Sequence, residues 1–203
     1  MPLTAHNLQP AGDTLRPILD EEQLREGVSR LADEINAHYE GRPLTIVGVL
    51  TGSVVLLADL IRLLDMPLKI GFVQATSYRG GTKPGELKLD LALLPEIAER
   101  EVLIVDDIFD SGHTLTALVE QFTALGPAQL RSAVLLRKAG RIEVPMQPDH
   151  VAFEIPNEFV VGYGLDYADL YRNLPHVAAL DPADMTPDDA AAQAEQVIQG
   201  LGS

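Results

Sequence analysis

Cysteine is absent from this 203-residue chain, and basic residues are scarce: 15 Lys and Arg stand against 30 Asp and Glu, a formal charge of −15. The first absence excludes a disulfide framework and thiol catalysis. The second opposes casual binding to nucleic acid or to anionic membranes. It also requires any phosphate site to generate its own positive field, from amides, a metal or a few placed cations. No apolar run approaches membrane-spanning length, and the N-terminus shows no basic, apolar, small-residue signal pattern. A cytoplasmic location is the resulting expectation. No internal repeat is visible, and no linker interrupts residues 15–180. What remains is a globular composition, 46% hydrophobic and 22% charged, long enough for a sizeable core.

Apolar runs alternate with helical patterns. Residues 1–14 are polar and without periodicity, and are expected to form a mobile tail. Residues 15–19 suit a short strand. Asp20 with Gln23 has the form of a capping box, and Leu24, Val28, Leu31, Ile35 and Tyr39 mark one face of a helix stopping at Gly41. Residues 44–50 form a buried strand, then Thr51-Gly52-Ser53 leads into a helix carrying Val54, Leu57, Leu60, Ile61 and Leu64. Residues 68–75 are a strand feeding a long Gly-rich polar connection, Ser77 to Glu86, which suits either a surface loop or a lid over reactants. Strands are expected again at 87–93, 129–136, 151–155 and 177–180. Residues 181–203 hold five acids and no Lys or Arg, so 30 − 5 leaves 25 acids against 15 bases, still −10, in the rest. This acidic extension is assigned no chemistry. The alternation predicts an α/β fold with a Rossmann-like parallel sheet, covered by helices on both faces, its ligands at the carboxyl ends of the strands.

The most informative stretch is residues 102–115, VLIVDDIFDSGHTL. Its apolar first half suits a strand buried on both faces. The strand ends in adjacent carboxylates, Asp106 and Asp107, which require water or cations nearby. The loop Asp110-Ser111-Gly112-His113-Thr114 then opens a helix patterned by Leu115, Leu118, Val119, Phe122 and Leu125 and stopped near Gly126. Small and hydroxylated residues at a helix N-terminus form an anion site suited to phosphate. Acids beside it would repel that anion unless they hold a cation or sugar hydroxyls. The stretch therefore reads as a site for a phosphorylated sugar, with Mg²⁺. Thr51-Gly52-Ser53 is a second such junction. On its own it is weaker, because many strand-to-helix turns use Gly and Ser for geometry alone.

This stretch resembles the phosphoribosyl-diphosphate (PRPP) signature of the type I phosphoribosyltransferases. The resemblance narrows to the hypoxanthine (hypoxanthine-guanine) branch through Thr51-Gly52-Ser53 with Ala58-Asp59-Leu60, Ser77-Tyr78, Lys138, FVVGYGLDYA at 159–168 and YRNLP at 171–175. It implies one phosphoribosyltransferase domain over residues 15–180, with a small hood built from N- and C-terminal segments and a flexible lid loop. It implies transfer of phosphoribosyl from PRPP to N9 of hypoxanthine or guanine. Asp106 and Asp107 would hold the ribose, directly or through Mg²⁺. Asp110 would be the acid–base group at purine N7, and Ser111, Gly112, His113 and Thr114 would wrap the 5′-phosphate. Thr51, Gly52 and Arg172 would bind diphosphate, and Ser77 and Tyr78 would belong to the lid. Lys138, Phe159, Val160 and Asp166 would serve the purine side, with Asp166 also a metal ligand. A homodimer or homotetramer is implied, with neither nucleic-acid nor membrane partners. Thr51 and His113 depart from the basic residues common in the family, which implies weaker PRPP affinity than in a relative with a basic loop. Two other readings compete: a non-catalytic regulator on the same fold, disfavoured by the missing basic stripe, and a sister transferase acting on xanthine or a pyrimidine.

Overall fold

The computed structural model describes residues 15–77 and 87–181. In chain order the elements are β1 (Leu15–Leu19), α1 (Glu21–Tyr39), β2 (Leu44–Leu50), α2 (Val54–Leu60), β3 (Leu68–Ser77), β4 (Leu87–Asp90), β5 (Glu101–Phe109), α3 (His113–Thr123), β6 (Gln129–Lys138), β7 (His150–Ile155), β8 (Val160–Val161) and β9 (Val177–Leu180). They group into two compact units. One is Arg25–Asn157, and the other combines the residues up to Leu24 with those from Glu158 onward.

The larger unit is a six-stranded sheet of order β4-β3-β2-β5-β6-β7. Five strands run parallel, as the alternating pattern predicts; β4 pairs antiparallel with β3, making the sheet mixed. Strands β2 and β5 are central and almost wholly buried, which accounts for their unbroken apolar runs. On one face, Leu115, Leu118 and Phe122 of α3 pack on Val47, Val49, Val102, Ile104 and Val134. Gly48 presents the other face to Leu57 of α2. Helix α1 begins with the expected capping box: the amide of Gln23 donates to Asp20 Oδ1 at 2.8 Å, and that of Asp20 to Gln23 Oε1 at 2.9 Å. Its apolar stripe, Leu24 to Tyr39, is buried as patterned.

Helix α2 is shorter than its sequence suggests, ending at Leu60 rather than continuing to Leu64. The chain beyond Leu60 is held by α1. Asn36 Nδ2 donates to the Leu63 carbonyl at 3.0 Å, and Asn36 Oδ1 accepts the Asp65 amide at 3.1 Å. The residue four after Leu63 is Pro67, which has no N–H to donate, so Asn36 supplies the donor that a helix could not.

The smaller unit is an antiparallel sheet, β1-β9-β8, in which β9 is central. It joins segments from both ends of the described chain, matching the expected hood. Val161, Tyr171, Leu174 and Leu180 form its core, with Leu15, Tyr167 and Leu170 packed against them.

Candidate active site

Parallel strands β2, β5 and β6 end at the same edge of the sheet, so their C-terminal residues converge there. Strand β2 delivers Thr51 and Gly52, β5 delivers Asp106, Asp107 and the loop to α3, and β6 ends in Lys138. Thr51 is exposed and follows a cis peptide bond from Leu50. Gly52 is buried directly against Asp107: a Cβ at position 52 would overlap that carboxylate. The two loops are thus in contact, and a side chain at position 52 would have to push the Asp107 carboxylate aside.

Asp106 is buried and Asp107 half-buried. The Asp107 amide donates to Asp106 Oδ1 at 3.0 Å, and the Ile108 amide to Asp107 Oδ1 at 2.9 Å. Burial pushes the Asp106 carboxyl well above the ordinary range, and the like charge and side-chain hydrogen bond of Asp107 push it the same way. Among the described residues no group of three or more His, Asp or Glu could hold a metal ion by itself. A hard-oxygen pair of this kind fits Mg²⁺ that takes its remaining ligands from water and substrate phosphates.

The loop after β5 turns through Gly112, whose φ of 91° is left-handed, and α3 starts at His113. Its first intrahelical bond runs from the Thr116 amide to the Gly112 carbonyl at 3.0 Å, so the preceding amides have no partner within the helix. Ser111 and Thr114 are half-buried there, and His113 projects outward with Nε2 2.9 Å from Glu143. Asp110 meets two cations: Lys138 Nζ lies 3.2 Å from Oδ2 and Arg141 Nε 3.2 Å from Oδ1. Lys138 itself is buried, with a side chain only 6% exposed.

Residues 139–149, irregular and unremarked in the sequence, form a strap across this loop. The Glu143 amide donates to the Ser111 carbonyl at 3.0 Å. Val144 packs on Gly112, and Thr116 Oγ1 donates to Met146 Sδ at 3.4 Å. Arg141, Glu143 and Val144 are neighbours of the site that no motif or periodicity marks.

In the smaller unit, Phe159 is 38% exposed, its carbonyl accepts the Leu180 amide at 2.9 Å, and its ring meets Tyr167 edge-on at 5.8 Å. Val160 is buried in β8. Asp166 and Arg172, expected to serve different groups, are joined: Arg172 Nη2 lies 2.9 Å from Asp166 Oδ1 and 3.0 Å from Asp169 Oδ1, while Nη1 donates to the Gly164 carbonyl at 2.9 Å. Asp166 Oδ2 also accepts the Asp169 amide at 2.9 Å. Ser77 is the last residue of β3; its side chain and Tyr78 lie outside the described residues.

A mixed, mostly parallel sheet with an acid pair and a phosphate-type loop at its carboxyl edge defines a phosphoribosyltransferase fold. Residues 16–168 match the family model described as the phosphoribosyl transferase domain, and the chain belongs to that family. It is 44% identical over 167 residues to the hypoxanthine-guanine phosphoribosyltransferase of Lactococcus lactis, covering 81% of this chain and 90% of that protein. It is 40% identical over 171 residues to the bifunctional protein TilS/HprT of Listeria innocua, covering 84% of this chain but only 26% of that protein. Among solved structures it is similar to the hypoxanthine phosphoribosyltransferase of Trypanosoma cruzi in complex with the product IMP, with a TM-score of 0.79 and 35% identity, covering 87% of this chain and 98% of that one.

Proposed function

We propose that this chain transfers the 5-phosphoribosyl group of PRPP to N9 of hypoxanthine or guanine, releasing diphosphate and forming IMP or GMP in purine salvage. The observation that carries the reading is the continuous run from the Asp106–Asp107 pair to the α3 N-terminus, with Lys138 paired to Asp110 beside it. The two similar transferases support the substrate class, one by its name and the other by its bound IMP.

Each role has a local rationale. Asp106 and Asp107 accept the ribose hydroxyls, relieving the crowding of two like charges. The unpartnered amides and hydroxyls of Ser111, Gly112, His113 and Thr114 hold the 5′-phosphate. The Gly52 and Thr51 amides hold diphosphate, and Arg172 neutralises it after parting from Asp166 and Asp169. Lys138 donates to O6, which selects a 6-oxopurine over adenine. Phe159 stacks on the base and Val160 offers its main chain to the base edge. Asp110 takes the proton from N7 as N9 attacks C1 of the ribose, and the nearby carboxylates stabilise the oxocarbenium-like charge. Asp106 and Asp107 on the ribose side, and Asp166 on the diphosphate side, would each hold Mg²⁺, which would supply charge neutralisation for the departing diphosphate. Ser77 and Tyr78 contribute to a lid that excludes water. The family further implies a cytoplasmic homodimer or homotetramer, which fractionation and light scattering test.

The deciding experiment is diphosphate release with PRPP, Mg²⁺ and a panel of hypoxanthine, guanine, xanthine, adenine and uracil. Turnover with the first two supports the reading. Turnover confined to xanthine or uracil moves the chain to a sister activity, and none with any base rejects it.

A further inference from the structure

We propose that Arg141 is a positioning residue for Asp110: it holds that carboxylate fixed and charge-balanced while Lys138 is shared with the purine. The inference rests on the reading above, in which Asp110 and Lys138 both serve the base. These two are each other's partners, at 3.2 Å. Lys138 has further N–H donors for a substrate oxygen, but an ammonium divided between that oxygen and Asp110 Oδ2 holds the carboxylate less firmly, and a second cation then keeps Asp110 fixed. Arg141 is that cation. Asp110 Oδ1 is sealed from solvent and accepts no hydrogen bond, although Arg141 Nε stands 3.2 Å away, at ion-pair distance but outside hydrogen-bond geometry. A small rotation of either side chain completes the bond as Lys138 engages the purine.

Arg141 is also tethered. The segment carrying it begins with the Ala139 amide donating to the Ile155 carbonyl at 2.9 Å and is pinned to the phosphate loop by Glu143 and Ser111 at 3.0 Å. Its guanidinium is permanently charged. Because its side chain is 50% exposed, the pair contributes little to folding, and the effect of losing it is kinetic.

Initial rates with PRPP, Mg²⁺ and hypoxanthine on the full chain test this with Arg141→Gln, Arg141→Lys, Asp110→Asn and the Asp110→Asn/Arg141→Gln pair. Arg141→Gln should lower kcat about tenfold, the size of one charge-assisted contact, with both KM values within about twofold and an unchanged unfolding midpoint. Arg141→Lys should recover most of the loss. In the Asp110→Asn background the Gln substitution should add nothing, since it acts through Asp110. Where Asp110→Asn leaves too little turnover to compare, the kcat–KM split and the Lys rescue decide. A parental kcat in Arg141→Gln, an equal loss repeated on Asp110→Asn, or a loss expressed in the KM for PRPP overturns the proposal. Parental turnover in Asp110→Asn instead rejects the acid–base role of Asp110, and the Arg141 proposal with it.

Discussion

Position 52 shows how tightly single residues constrain this edge of the sheet. A side chain there would enter the space of the Asp107 carboxylate. Gly52→Ala should therefore push the Asp107 carboxylate from its place and raise the KM for PRPP by about tenfold or more, or ~1.4 kcal/mol of lost binding for each decade. An unchanged KM would mean that the two loops do not act together. Asp106 carries the opposite tension, because the fold holds it where its charge is unwelcome. Its raised folded-state value means that the native chain binds the proton more readily than the unfolded chain. That contribution is full below the ordinary carboxylate range and is lost as pH rises through the raised value. At neutral pH, in metal-free protein, Asp106→Asn should melt above the parent, because the amide keeps an acceptor for Asp107 without the charge. The midpoint should rise by about 2–4 °C for each kcal/mol relieved. The gap should close below about pH 4, where the carboxyl is protonated in both states. Circular dichroism melts across this range measure it, and a gap independent of pH would refute the assignment.

At the scale of elements, local signals carried far where the chemistry is local. The α1 capping box, the apolar stripe to Tyr39 and the β5–loop–α3 unit all lie where residue spacing places them. Asp20→Ala removes one of two reciprocal bonds at the α1 start and should cost about 0.5–2 kcal/mol. Urea unfolding measures this, and a change below about 0.3 kcal/mol would show that α1 is held by its packing alone. Spacing fails where the deciding partner is distant. The backbone trailing α2 is bound by Asn36, 27 residues before Leu63, a partner that helical spacing does not reveal. The strap at 139–149 has no periodicity, and its meaning comes from contacts with Ser111, Gly112, His113 and Thr116 that no local rule contains. The pairing of Arg172 with Asp166 was hidden for another reason. It depends on a backbone that bends through positive φ at Ala168, Asp169 and Tyr171, residues that ordinarily avoid it.

For the whole molecule, alternation of apolar runs and helical patterns made the parallel sheet legible; β4 lies within the expected strand at 87–93, but its antiparallel direction is not written in a local pattern. The charge balance is also a property of the whole chain, and it has a consequence for substrate capture. PRPP is a polyanion approaching a protein of formal charge −15. The long-range field repels it, while the attraction of the loop amides acts only at contact. Raising ionic strength from about 0.01 M to 0.15 M shortens the screening length from about 30 Å to about 8 Å. That change removes the repulsion and leaves the short-range bonds intact. kcat/KM for PRPP should therefore rise with added potassium chloride at fixed Mg²⁺, the reverse of the usual response of a basic phosphate-binding protein. The rise should appear in the association rate, because steering acts before contact. Stopped-flow binding at the two ionic strengths separates the rate constants. A rate that falls with salt would show that local cations such as Lys138 and Arg141 outweigh the molecule's net field.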